Sequence, residues 1–238
     1  MAKHLFIVST STVHGKKYLE YLAPKLPEFY AGCTKILFIP YARPGGISHD
    51  DYTQRAAEFF STLNIEVRGI HTFETPEDGI NWADGFFTGG GNTFVLIKAL
   101  HEGNIIEPLR AAVESGKPYM GSSAGSNITG ISVSTTNDMP IVYPPSFEAL
   151  QFVPFNINPH YLDPDPGSKH MGETRETRIK EFHVYNNQPV VGLREGSALE
   201  VHGNTISLWG ELSARIFEKD KTPYELSPED DFSFLLNA

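Results

Sequence analysis

The chain has 238 residues, 40% hydrophobic and 20% charged, an ordinary globular composition that excludes a disordered or fibrous protein. Its formal net charge of −10 repels phosphate backbones, so no nucleic-acid partner is expected, and an acidic ligand must be gripped by a local Arg or Lys. The lone cysteine, Cys33, cannot form an internal disulfide, and no run approaches the ~20 apolar residues of a membrane span. The apolar part of the N-terminus, residues 5–8, is too short for a signal peptide and turns polar at once, so a cytoplasmic location is expected.

Short apolar runs alternate with longer amphipathic stretches. Residues 5–9 predict a strand, and 16–26 a helix with Tyr18, Leu19, Leu22 and Leu26 at helical spacing. Residues 35–40 form a second strand. A helix over 51–63 follows, with Ala56, Phe59, Phe60 and Leu63 on one side. Further strands are expected at 65–70 and 85–88, a helix at 94–100, a strand at 117–120 and a helix start at 124–129. The stretch 135–166, rich in Pro, Asn and Asp, predicts a functional loop. Residues 199–202 and 205–208, joined by Gly203-Asn204, predict a β-hairpin. Strands apolar on both faces and alternating with helices indicate an α/β fold: a mostly parallel sheet covered on each side, ending in a β-hairpin. No repeat or low-complexity linker divides residues 1–238, which are expected to form a single domain.

The sharpest local signal is Gly121-Ser122-Ser123-Ala124-Gly125, a G-x-S-x-G frame between a strand and a helix start. A nucleophile on so sharp a turn needs small neighbours. The frame selects Ser123 over Ser122 and Ser126, and it aims the Ala124 amide at a developing oxyanion. Gly89-Gly90-Gly91-Asn92-Thr93 follows the strand at 85–88, and the amide of Gly90 or Gly91 could complete the oxyanion hole. The phosphate-loop patterns are incomplete here. A tight turn without ligand is the plainer alternative for both glycine segments.

A serine nucleophile needs a base, and His160, in Asn158-Pro159-His160-Tyr161, is the best placed of nine histidines. The orienting acid is Asp138 or Glu195. Spacing does not choose between them, with a lean to Asp138 because Asn137 beside it could fix the carboxylate. No metal-ligand pattern emerges, and neither a metal nor another cofactor is expected. His49-Asp50-Asp51 reads as a solvated helix start.

Five blocks in order, Gly89-Gly90-Gly91-Asn92-Thr93-Phe94, Ser122-Ser123-Ala124-Gly125, Thr136-Asn137-Asp138-Met139-Pro140-Ile141-Val142, Asn158-Pro159-His160 and Gly172-Glu173-Thr174-Arg175, resemble the peptidase E family, the S51 serine peptidases. The resemblance spans most of the chain and fades after about residue 211. It implies a doubly wound sheet related to class I glutamine amidotransferase domains, and metal-free hydrolysis of dipeptides with an N-terminal aspartate. It maps the nucleophile onto Ser123, the base onto His160, the acid onto either Asp138 or Glu195, and an arginine near the substrate aspartate onto Arg175. Ser122 and Ser126 depart from the pattern of some members, which bears on substrate fit. Arg175 also supplies the local cation that an acidic protein needs to bind a carboxylate, although it could instead share a surface helix face with Glu173, Glu176 and Arg178. Asn92 is a second substrate-binding candidate.

The expected partner is therefore a small Asp-X peptide, handled by a monomer or small homo-oligomer. The alternatives are a cyanophycinase-like β-aspartyl hydrolase and a non-catalytic binding protein on the same scaffold. A glutamine amidotransferase is disfavoured, because that chemistry uses Cys where this chain has Ser123.

Overall fold

Leu5, Phe6, Ile7 and Val8 are consecutive and fully buried, yet they divide between two cores: Leu5 and Ile7 join one cluster, Phe6 and Val8 the other. A strand does this only inside a sheet covered on both faces. The computed structural model describes residues 2–164, 167 and 172–237. In chain order its elements are β1 (His4–Val8), α1 (Leu26–Phe29), β2 (Lys35–Ile39), α2 (His49–Ser61), β3 (Glu66–Gly69), α3 (Pro76–Trp82), β4 (Gly85–Thr88), α4 (Thr93–Glu102) and α5 (Ile106–Glu114). There follow β5 (Tyr119–Ser122), α6 (Ala124–Asn127), β6 (Asn156–Pro159), α7 (Arg175–Tyr185), β7 (Val190–Leu193), β8 (Ala198–His202), β9 (Thr205–Trp209), β10 (Ala214–Phe217) and β11 (Tyr224–Leu226).

The larger sheet runs β3-β2-β4-β5-β1-β8-β9. Its first five strands pair in parallel, and β8 and β9 extend it antiparallel as the expected hairpin, with His202 opposite Thr205. Gly203 turns that hairpin with φ 60. One face carries the core that includes Leu37, Phe86, Leu96 and Leu109. The other carries Phe38, Phe87, Tyr52 and Phe60. The fold is thus the doubly wound, mostly parallel α/β sheet that the alternation predicts.

Two features depart from the expectation. The stretch 16–26 is not one helix: it holds a 3₁₀ turn, Glu20–Leu22, and α1 begins only at Leu26. Its spaced apolar residues are buried all the same, but Leu19 takes a left-handed backbone with φ 57, which interrupts a helix before Glu20, and Pro24 has no amide to donate. The second is a separate sheet, β11-β10-β7-β6, in which only the β6–β7 pair is parallel. Its short strands carry no strong sequence period. Together the two sheets bring the carboxyl ends of β1, β4, β5, β6 and β7 to one place.

Candidate active site

Ser123 stands between the end of β5 and the start of α6 with φ 55 and ψ −110, a backbone that residues with a Cβ adopt at a cost. Its surroundings enforce it. The Ser123 amide donates to Val8 O at 3.1 Å, and its carbonyl accepts from the amides of Ser126 and Asn127, each at 2.9 Å. A Cβ on Gly121 would lie 2.2 Å from Gly125 O, and one on Gly125 would lie 2.2 Å from Thr88 O. Both glycines are therefore steric requirements of the turn. Ser126 is buried, its hydroxyl 2.6 Å from Val8 O and 2.7 Å from Gly121 O, pinning α6 to the strands. Of residues 121–130, only Ser123 is not buried.

His160 follows β6 with φ 53, and its amide donates to Ser9 Oγ at 2.9 Å. The Ser9 hydroxyl donates to Leu193 O at 2.9 Å, and Tyr161 N donates to the same carbonyl at 2.9 Å, so the ends of β1, β6 and β7 are stitched around one serine. The His160 Nε2 lies 2.9 Å from Ser123 Oγ, and Nδ1 lies 2.7 Å from Glu195 Oε1. An ionised carboxylate only accepts, so Nδ1 carries the proton and Nε2 is left to accept from the serine hydroxyl.

Asp138, the acid favoured from the sequence, is not the partner of His160. Its Oδ2 accepts from Thr93 N at 2.7 Å and lies 3.1 Å from Thr136 Oγ1, at the first turn of α4. Unpaired amides and the dipole at a helix N-terminus draw a carboxylate there. Nor does Asn137 hold that carboxylate: its side-chain amide donates to Pro159 O at 2.7 Å, fixing the carbonyl before His160. Asn158, buried, donates to Thr135 O at 2.8 Å and to Asn137 Oδ1 at 2.9 Å. Asn92 is chiefly a helix cap: Oδ1 accepts from Val95 N at 3.1 Å and Nδ2 donates to Met139 O at 2.9 Å.

The glycine turn lies against the serine. A Cβ on Gly90 would be 2.9 Å from Ser123 Cβ, and Gly91 has φ 148 with Ala42 O 2.2 Å from where its Cβ would be. The Gly90 carbonyl accepts from Tyr52 Oη at 3.1 Å and Arg43 Nε at 2.9 Å. In a trans peptide this turns the Gly91 N–H the opposite way, clear of those donors. The amides of Gly90, Gly91 and Ala124 find no acceptor among the described residues. Tyr52 and Arg43 escaped the sequence reading because they lie on α2 and its approach, remote from any motif.

Arg175 opens α7, whose N-cap Thr174 accepts from Thr177 N at 3.1 Å. Arg178 pairs with Glu173 at 3.7 Å, and Glu176 holds Lys180 and Arg215. Arg175 shares in none of this: its half-buried guanidinium has no hydrogen bond or ion pair among the described residues. Burial and the nearby charge of Arg178 lower its affinity for the proton, and the field of Asp138 opposes them. A guanidinium can grip a carboxylate through two parallel hydrogen bonds. Burial pushes the Cys33 thiol up to about 11, away from nucleophilic use. No helix among the described residues is long and apolar enough to cross a membrane.

Residues 5–209 match peptidase family S51. A Streptomyces coelicolor protein named "Peptidase E" is 48% identical over 99% of this chain and 96% of its own length. A Drosophila melanogaster protein named "Probable alpha-aspartyl dipeptidase" is 45% identical over 99% of this chain and 98% of its own. In fold, the chain is similar to the crystal structure of a peptidase from an acI-B1 Actinobacterium, with a TM-score of 0.69 and 18% identity over 98% of each chain.

Proposed function

This chain belongs to peptidase family S51, and on that premise we propose that it is a serine dipeptidase that hydrolyses peptides with an N-terminal aspartate. The observation that carries the reading is the hydrogen-bonded line from Ser123 through His160 to Glu195. In this mechanism Ser123 Oγ attacks the carbonyl carbon of the aspartate as its proton passes to His160 Nε2. The imidazolium is held by Glu195. The negative oxygen is received by the Ala124 amide and that of Gly91 or Gly90. His160 returns the proton to the departing amine, leaving an acyl-enzyme. Water then enters, gives its proton to Nε2 and releases aspartate.

Arg175 binds the β-carboxylate of the substrate and supplies the attraction that a −10 protein otherwise lacks. Residues 1–238 act as one peptidase domain, because Ser123 follows a strand of one sheet while His160 and Glu195 follow strands of the other. The partner is a small peptide rather than nucleic acid or membrane, and the setting is the cytoplasm.

The test is a hydrolysis panel of Asp-Leu, Glu-Leu, β-Asp-Leu and N-acetyl-Asp-Leu, run on the wild-type and Ser123→Ala chains. Asp-Leu should be the preferred substrate, and Ser123→Ala should lose about 10⁴-fold or more of that turnover. Preference for β-Asp-Leu would replace the reading with β-aspartyl hydrolysis. Undiminished turnover by Ser123→Ala would end the serine mechanism.

A further inference from the structure

Behind the site runs a chain of ion pairs that joins its parts. Arg194 immediately precedes Glu195, and its side chain is largely buried. It grips Asp163 with two bonds, Nε to Oδ2 at 2.8 Å and Nη2 to Oδ1 at 2.7 Å. It grips Glu225 with two more, Nη1 to Oε2 at 2.8 Å and Nη2 to Oε1 at 3.0 Å. Asp163 lies three residues after His160, so one guanidinium clamps both segments that carry the His160–Glu195 pair. The Arg194 guanidinium also sits 5.5 Å from the ring centre of Tyr161, the residue next to His160.

Glu225, on β11, is the joint. Its Oε1 also accepts from Arg215 Nη1 at 3.0 Å, and Arg215 lies directly opposite it on β10. Arg215 in turn donates to Glu176 Oε2 from Nη2 at 2.8 Å, and Glu176 is the neighbour of Arg175 at the start of α7. The line therefore reads Glu176–Arg215–Glu225–Arg194–Asp163. Every carboxylate in it is held below its ordinary range: the guanidinium bonds outweigh burial at Asp163 and Glu225, and Lys180 and Arg215 do so at Glu176.

We propose that this line is a positioning device for the reaction, setting the helix that presents Arg175 in register with the two segments that present His160 and Glu195. The proposal rests on the serine dipeptidase reading above. It assigns different tasks to its two arginines. Arg194 aligns the base and its acid, so it acts on the chemical step. Arg215 seats α7, so it acts on substrate binding.

The test compares Arg194→Met and Arg215→Met, each verified as folded by circular dichroism at the assay temperature. Arg194→Met should lower kcat for Asp-Leu about 10-fold or more with KM within about 3-fold, and should slow fluorophosphonate labelling of Ser123 to the same degree. Arg215→Met should raise KM about 10-fold with kcat within about 3-fold and labelling unchanged. Lys at either position should recover only part of the loss, keeping the charge but not the planar fork. If Arg194→Met does not fold, Arg194→Lys carries the same comparison.

Kinetics of both variants indistinguishable from wild type would overturn the proposal, as would the same pattern of lowered kcat and raised KM in both, since a merely structural network has no reason to divide them. Failure of the underlying reading is seen separately, as a wild-type chain that leaves Asp-Leu intact or a Ser123→Ala chain that still cleaves it. Either result overturns the positioning role as well.

Discussion

The Nε2 of His160 lies 2.9 Å from the Oγ of Ser123, although the residues are 37 positions apart and follow strands of different sheets. Neither side chain is held by sequence neighbours alone. Val8 O receives the Ser123 amide, and Ser9 Oγ receives the His160 amide. Two adjacent residues at the end of β1 thus set both partners. The base and nucleophile are positioned by the central strand they share, and this is the basis for expecting that changes beside them act on rate.

The acid is the first case. Glu195→Gln should reduce kcat for Asp-Leu by about 10³-fold or more, because a neutral amide neither fixes the Nδ1–H tautomer nor stabilises the imidazolium. Asp138→Asn should cost under about 10-fold in kcat, since an amide oxygen can still accept from Thr93 N. Steady-state kinetics on both variants decide the matter. The opposite ranking would assign the role to Asp138.

Arg175→Met should lower kcat/KM for Asp-Leu by about 30-fold or more, the cost of leaving a desolvated carboxylate without its partner. Hydrolysis of Asn-Leu or Ala-Leu should fall far less. The ratio of the two losses is the quantity to measure, because a folding defect reduces both alike. Equal losses would make Arg175 a structural residue.

Gly90→Ala tests the backing of the nucleophile. The added methyl would sit 2.9 Å from Ser123 Cβ and 3.1 Å from Ser122 O, so the serine or the glycine turn must move. A loss of about 10-fold or more in kcat is expected from misplacing Oγ and the amide donors together. Unchanged kcat in a folded variant would show that the turn yields without disturbing the reaction.

The ion-pair line has an acid signature. The carboxyl of Glu225 is lowered from 4.5 to about 2, because bonds from Arg194, Ser213 and Arg215 outweigh its burial. A depressed carboxylate stabilises the fold fully above its unfolded-state value and loses that contribution as pH falls through the folded one. Glu225→Gln should therefore lower Tm near neutral pH, and the gap from wild type should close as pH falls from 4.5 to about 2. Thermal melts across that range measure it. A gap that widened on acidification would reverse the sign of the linkage.

The sequence alone determined the parts of the protein whose physics is local. Apolar runs at 35–40 and 85–88 predict buried strands, and β2 and β4 are there. The G-x-S-x-G frame carried its own geometry, since Gly121 and Gly125 have no room for a Cβ and Ser123 stands between them. The hairpin of β8 and β9 was legible from its two-residue turn. The stretch 16–26 is not one helix because periodicity records burial, and burial there is met by a 3₁₀ turn that follows the left-handed Leu19.

What only the tertiary structure decided is which distant groups meet. Asp138 and Glu195 are equivalent as carboxylates on loops after strands. One is drawn to the free amides of α4 and the other is delivered to His160 by the pairing of β6 with β7. The Arg194–Glu225 joint and the grip of Tyr52 and Arg43 on Gly90 likewise depend on elements far apart in the chain. A hydrogen bond is specified by position and direction to within a few tenths of an ångström, and residue type and spacing leave both open until the sheets close around the site.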